Sequence, residues 1–237
     1  MITVLDLQDF LSTYGLAFEA TASTWSCGES ITYAGMGYST VQIGDQCWFA
    51  ENLRTTTYLN GEAIPQNLSD GDWSSTTSGA MTFYHDDLIV QAPYGGLYNW
   101  FAVDDARGLC PSGWHVPTDG EWMTMEMALG MSEADANSTD WRGTDQGAQM
   151  KTTYGWYYYG NGTDNGTNSS GFSGLPGGLR YDLGNFALAG GNGVWWSSSP
   201  SGSNAWLRAL DTNLEYVNRS ETNPRMGYSV RCVRDAE

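Results

Sequence analysis

LCPSGWHVPTDGEW, residues 109–122, packs a cysteine, two prolines, two tryptophans and a helix start into fourteen positions. Pro111 and Gly113 set a turn that delivers Trp114 to a core, and Pro117 then pre-organises the start of a helix. Thr118 as N-cap with Glu121 three residues later forms a capping box, and the spacing predicts a helix over Pro117 to Gly130. Trp122, Met125 and Leu129 are its apolar face.

Outward from this segment, regular structure is sparse. Ile31 to Leu53 reads as short strands separated by Gly35, Gly37 and Gly44, and Leu97 to Val103 as a strand or short helix. Asn60 to Ser78 and Tyr154 to Ser170 are polar, rich in Gly, Asn, Ser and Thr, and are expected to be loop. In Gly171 to Arg180, Gly177 and Gly178 permit close backbone passage while Phe172 and Leu175 point inward. Trp195, Trp196 and Trp206 are expected as core rings. Asn204 to Val217 and Gly227 to Val233 alternate as strands, with Tyr228, Val230 and Cys232 sharing one face. The pattern is α+β, with small antiparallel sheets, one or two helices and long loops. Val4 to Gly15 has helical spacing and Phe18 to Ser30 reads as a linker. Residues 1–30 are therefore expected to be the remnant of a preceding module, and 31–237 the domain.

The 27 acidic and 10 basic residues give a net charge of −17. Such a surface repels phosphate backbones and anionic lipid, which argues against nucleic acid and membrane surfaces as partners. No apolar run is long enough to insert into a bilayer, and the chain opens without a secretory signal, so an exported form implies a longer precursor. Cys27, Cys47, Cys110 and Cys232 show no metal-binding spacing, and neither His85 nor His115 adjoins a cysteine. Four cysteines allow three pairings. Cys27–Cys47, closing a local hairpin-like segment, with Cys110–Cys232, tying mid-chain to the end, is the favoured set and implies an oxidising compartment.

Six segments together resemble one known family: VQIGDQCWFAENLRT (41–55), GLYNWFAV (96–103), LCPSGWHVPTDGEW (109–122), SGFSGLPGGLR (170–180), WWSSSPSGSNAW (195–206) and GYSVRCVRD (227–235). Their order over residues 31–235 is that of the Fibrobacter succinogenes major paralogous domain family. This bacterial family is a branch of the C-type-lectin-like superfamily, which also holds the formylglycine-generating enzyme fold and the variable proteins of diversity-generating retroelements. The resemblance implies a C-type-lectin-like fold and supports the Cys110–Cys232 bridge. It also implies a secreted or cell-surface domain whose C-terminal part displays side chains on a rigid scaffold. Leu207, Ala209, Asp211, Asn213, Glu215, Tyr216, Asn218, Ser220, Glu221, Thr222 and Met226 become candidate contacts to a protein or glycan ligand.

Catalysis finds little support in these residues. The formylglycine-generating chemistry needs a second cysteine near Cys232, and none is present. No GxSxG elbow occurs, His115 sits in a structural segment, and the pairs Asp86–Asp87 and Asp104–Asp105 are adjacent, so their side chains diverge. The Glu-Pro-Asn and Trp-Asn-Asp tripeptides of calcium-dependent sugar binding are also missing. No cofactor is expected beyond a structural Ca²⁺, for which Asp211, Asn213 and Glu215, Asp164 and Asn165, or Asp70 and Asp72 offer hard oxygens.

Overall fold

The computed structural model describes residues 25–86, 92–157 and 165–236. The helix expected over Val4 to Gly15 lies outside them. Glycine turns divide the N-terminal part into two hairpins, β1 (Ile31–Tyr33) with β2 (Met36–Tyr38), and β3 (Thr40–Ile43) with β4 (Gln46–Phe49). A second small pair joins β5 (Met81–Thr82) to β6 (Leu97–Tyr98). The main sheet is built from β7 (Asp140–Arg142), β8 (Gly177–Arg180), β9 (Phe186–Ala189), β10 (Asn192–Ser201), β11 (Asn204–Asp211) and β12 (Val217–Thr222). Their order is β7-β12-β11-β10-β8-β9. The last strand, β13 (Val233–Asp235), returns to pair antiparallel with β4 and so closes the domain on its beginning.

Architecture is α+β, as expected, with two corrections. The main sheet is six-stranded and mixed: β10 runs parallel to β8, where Gly193 meets Gly178. At Gly178, with φ of +67°, an added Cβ would lie 2.6 Å from the Ala187 carbonyl, so the expected close passage is real. The second correction concerns helices, which number five among the described residues rather than one or two. These are α1 (Asp70–Ser75), α2 (Trp100–Val103), α3 (Asp119–Ala128), α4 (Glu133–Asn137) and α5 (Gln146–Met150). Helix α1 interrupts the stretch expected to be loop, because Ser69 caps it and buried Trp73 anchors it. Helix α3 starts at the expected capping box, with both reciprocal hydrogen bonds made. Leu97 to Val103 is strand and then helix, since the Asn99 side chain caps α2.

The main sheet lies between two cores. Val194, Trp196, Ala205, Leu207 and Ala209 face one core, together with Tyr98, Trp100, Tyr228, Val230 and Cys232. Trp195, Leu210 and Val217 face the other, under Trp122 and Met125 of α3. Gly227, Tyr228 and Ser229 make isolated bridges where one strand to Val233 was expected, yet Tyr228, Val230 and Cys232 do share a face. Cys27 is bonded to Cys47 and Cys110 to Cys232, with Cα atoms 5.8 Å apart in each pair. Closing loops of these lengths stabilises a fold by about 3 and about 5 kcal/mol in the chain-entropy account. Such bridges belong to an oxidising compartment. Among the described residues no helix is long and apolar enough to cross a membrane.

Positive charge is drawn inward. Lys151, Arg142, Arg180, Arg208 and Arg231 are buried, and the other five basic residues are half-buried. Arg231 bonds to the Asn52 side chain and to the carbonyls of Phe49, Phe172 and Ser173, and stacks 4.2 Å over the Phe172 ring. Burial pulls its pKa down to about 9, so it stays charged at neutral pH. The outer surface is correspondingly acidic.

Candidate functional site: the β11–β12 hairpin

Strands β11 and β12 pair in register from Ala205 opposite Thr222 to Ala209 opposite Asn218. Neighbouring side chains point to opposite faces. Leu207 and Ala209 enter the first core with Asn218 and Ser220 beside them, while Trp206, Arg208, Arg219 and Glu221 face α3. Both faces of β11 are covered: the Ala205, Leu207 and Ala209 face by hydrophobic rings, the Arg208 face by carboxylates of α3.

Those carboxylates hold three arginines. Arg208 donates through Nε to Glu126 Oε1 at 2.7 Å and through Nη1 to Asp119 Oδ1 at 2.7 Å. Arg142 Nη2 reaches Glu126 Oε2 at 2.5 Å, and Arg219 Nη2 reaches Asp119 Oδ2 at 2.7 Å. Arg208 and Glu126 are fully buried. Burial alone would push the Asp119 carboxyl up, but Arg219 and Arg208 outweigh it and hold it below the ordinary carboxylate range. At Glu126 burial wins, and the pKa is raised despite both arginines. A buried network of this kind makes removal of one member costly, because the partner charges are left unpaired.

Asp211 ends β11 where a continuous ribbon over Asn204 to Val217 was expected. Its Oδ1 accepts from the Asn213 backbone N–H at 2.8 Å and side-chain Nδ2 at 3.1 Å, a turn closed by the side chain. Lys151, the only lysine of the chain, inserts its ammonium beneath the turn. Nζ donates to the carbonyls of Asp211 at 3.0 Å and Leu214 at 2.9 Å, with that of Thr212 at 3.4 Å. Helix α5 approaches closely because Gly147 has no side chain: an added Cβ would lie 2.3 Å from the Tyr216 carbonyl. A cleft of about 470 Å³ opens here, lined by Asn213, Glu215 and Tyr216 together with Lys151 and Asn165.

A second groove of about 420 Å³ lies at the other end of β12, lined by Trp206, Ser220 and Glu221 with Thr139 and Asp140 at the start of β7. Trp206, expected as a core ring, is half-buried and forms a wall of this groove, with the Arg219 guanidinium 4.1 Å over its ring. Trp195 and Trp196 are core rings as expected.

The eleven candidate contacts therefore separate. Leu207, Ala209 and Met226 are 7%, 9% and 8% exposed and belong to the first core, which removes them from any ligand surface. Asp211 is committed to its turn and to Asn192 Nδ2. Asn213, Glu215 and Tyr216 come together at the first cleft, and Ser220 and Glu221 at the second. Asn218 and Thr222 are half-buried on β12, and Asn218 Oδ1 accepts from Ser220 Oγ at 2.6 Å.

The expected calcium oxygens are mostly engaged elsewhere. Asp70 pairs with Arg180 at 3.1 Å, Asp72 accepts from Ser69 Oγ, and Asn165 Oδ1 accepts from the Trp156 N–H. Asp164 lies outside the described residues. Among those described, no three His, Cys, Asp or Glu side chains gather as metal ligands. Trp206, Thr139, Asp140 and Lys151 were not anticipated. Only Lys151 had a signal in the sequence, its being the sole lysine.

No curated protein and no solved structure matches the chain. The model of the Fibrobacter succinogenes major domain matches residues 41–234, a span that includes α3, the main sheet and both grooves. On that match, the chain belongs to the Fibrobacter succinogenes major domain family.

Proposed function

We propose that this chain is a C-type-lectin-like, non-catalytic ligand-binding domain, secreted or displayed at a cell surface. Its recognition surface would be the 212–216 turn and β12, contacting a protein or glycan. One observation carries the proposal: exposed or half-exposed Asn213, Glu215, Tyr216, Ser220 and Glu221 sit on a hairpin whose inner strand is held by buried ions and rings. Side chains that bind and side chains that fold are thus different residues, the arrangement expected where surface positions can be exchanged, as in retroelement-diversified proteins. Tyr216 is 43% exposed and supplies an amphipathic contact surface at low entropic cost. The two disulfides accord with an extracellular setting.

The test compares wild type with a variant carrying Ala at Asn213, Glu215, Tyr216, Ser220 and Glu221, screened on one glycan array and one displayed-peptide library. The proposal expects binders of the wild type to be lost in the variant while its melting curve stays cooperative. Identical binding profiles would overturn it and favour a structural surface module.

A further inference from the structure

We propose that the groove between β12 and the start of β7 receives a cationic side chain, ammonium or guanidinium, from a protein ligand; this deepens the recognition proposal and rests on it.

Register places Trp206 opposite Glu221 and Arg219 opposite Asp140, so both carboxylates and the indole share the α3 face of the sheet. No hydrogen bond or ion pair among the described residues engages the Asp140 or Glu221 carboxylate. Arg219 is the nearest basic group, but it is committed. Its Nε and Nη2 bond Asp119, and its Nη1 bonds the Asn137 and Ser138 carbonyls at 3.1 and 3.2 Å. It therefore acts as a fixed wall against Trp206, not as a counter-ion for the groove.

Two carboxylates without a side-chain partner favour a cation by charge attraction, and the Trp206 indole beside them offers an apolar wall for the methylene stem of a long basic side chain. A neutral sugar would leave the like charges uncompensated. The rest of the molecule supports the same choice. With every basic side chain buried or half-buried, the surface of a chain of net charge −17 steers basic partners toward it. A peptide also brings backbone carbonyls, suited to the Trp206 indole N–H, which has no hydrogen-bond partner among the described residues.

The experiment follows the Trp206 indole resonance, assigned with Trp206→Phe, in ¹⁵N-labelled protein. The probes are acetyl-Gly-Lys-Gly-amide, acetyl-Gly-Arg-Gly-amide, the neutral Gln analogue and maltotetraose. A saturable shift is expected with the Lys or Arg peptide alone. Affinity should fall about tenfold or more in D140N/E221Q, and stay unchanged in D45N/D104N, which removes the same charge elsewhere. Equal weakening in both variants would show diffuse attraction and overturn the proposal, as would no shift with any probe. A shift with maltotetraose alone would overturn the cation while leaving the recognition surface standing. That surface is tested separately by the five-site alanine variant.

Discussion

Strands β11 and β12 are hydrogen-bonded neighbours, yet the protein treats them oppositely. Of the eight residues of β11 five are buried, Arg208 among them, whereas in β12 only Val217 is. The cause is position in the sheet. Strand β11 is central, with a ring-filled core on one face and α3 on the other. On its outer side strand β12 is flanked only by the three residues of β7, and its far end is open. A central strand can hold a charge only by surrounding it with partners, which Asp119 and Glu126 provide. A nearly peripheral strand can leave its charges to solvent or to a ligand. The two strands thus divide holding the fold from meeting a partner.

The largest expected effect breaks the inner strand. Arg208→Met leaves Glu126 with one partner and Asp119 with one, deep under α3, and should cost about 4 kcal/mol in chemical denaturation. Leu207→Ala, on the other face of the same strand, should cost about 3 kcal/mol through lost burial and a cavity. If either substitution proves neutral, β11 is not the rigid member.

A smaller effect concerns the anchoring of α3. His115 Nε2 lies 2.5 Å from Glu121 Oε1 of the capping box. The hydrogen bond to Glu121 raises the His115 pKa above its ordinary value. The protonated pair therefore contributes fully below the ordinary histidine pKa of about 6.5, and the contribution fades as pH rises through the raised folded value. Half of the His115 side chain is exposed, so the effect is modest. Melts of wild type and His115→Gln across neutral pH should converge at the alkaline end and separate at the acid end. Parallel curves would remove the pair from the account.

The smallest effect belongs to the outer strand. Asn213→Ala, Ser220→Ala and Glu221→Gln should each shift stability by less than about 0.5 kcal/mol. A substantially larger loss from any of them would move that residue from display to support.

Much of the scaffold was legible because its signals are local. Thr118 and Glu121 announce α3, whereas Leu97 to Val103 stays open between strand and helix until Asn99 is seen to cap α2. Alternation through Tyr228, Val230 and Cys232 marks an inward face although no continuous strand forms. The hairpin reads as one continuous ribbon because its turn carries no Gly or Pro to mark it. The turn is closed by Asp211 locally and by Lys151 from sixty residues earlier, which periodicity cannot see. The inward parity of Leu207 and Ala209 was likewise hidden, because Arg208 reads as a surface residue until Asp119 and Glu126 are brought to it. Trp206 reads as core by residue type, but the sheet ends beside it and leaves it as a groove wall.

The separation of inner and outer strands is tested most directly by amide hydrogen exchange over residues 204–222, in wild type and in the variant with Ala at Asn213, Glu215, Tyr216, Ser220 and Glu221. Amides of Arg208 and Leu210 should exchange equally slowly in both proteins, with changes confined to the turn and β12. Loss of protection along β11 in the variant would show that the display residues also hold the fold, and would contradict that separation.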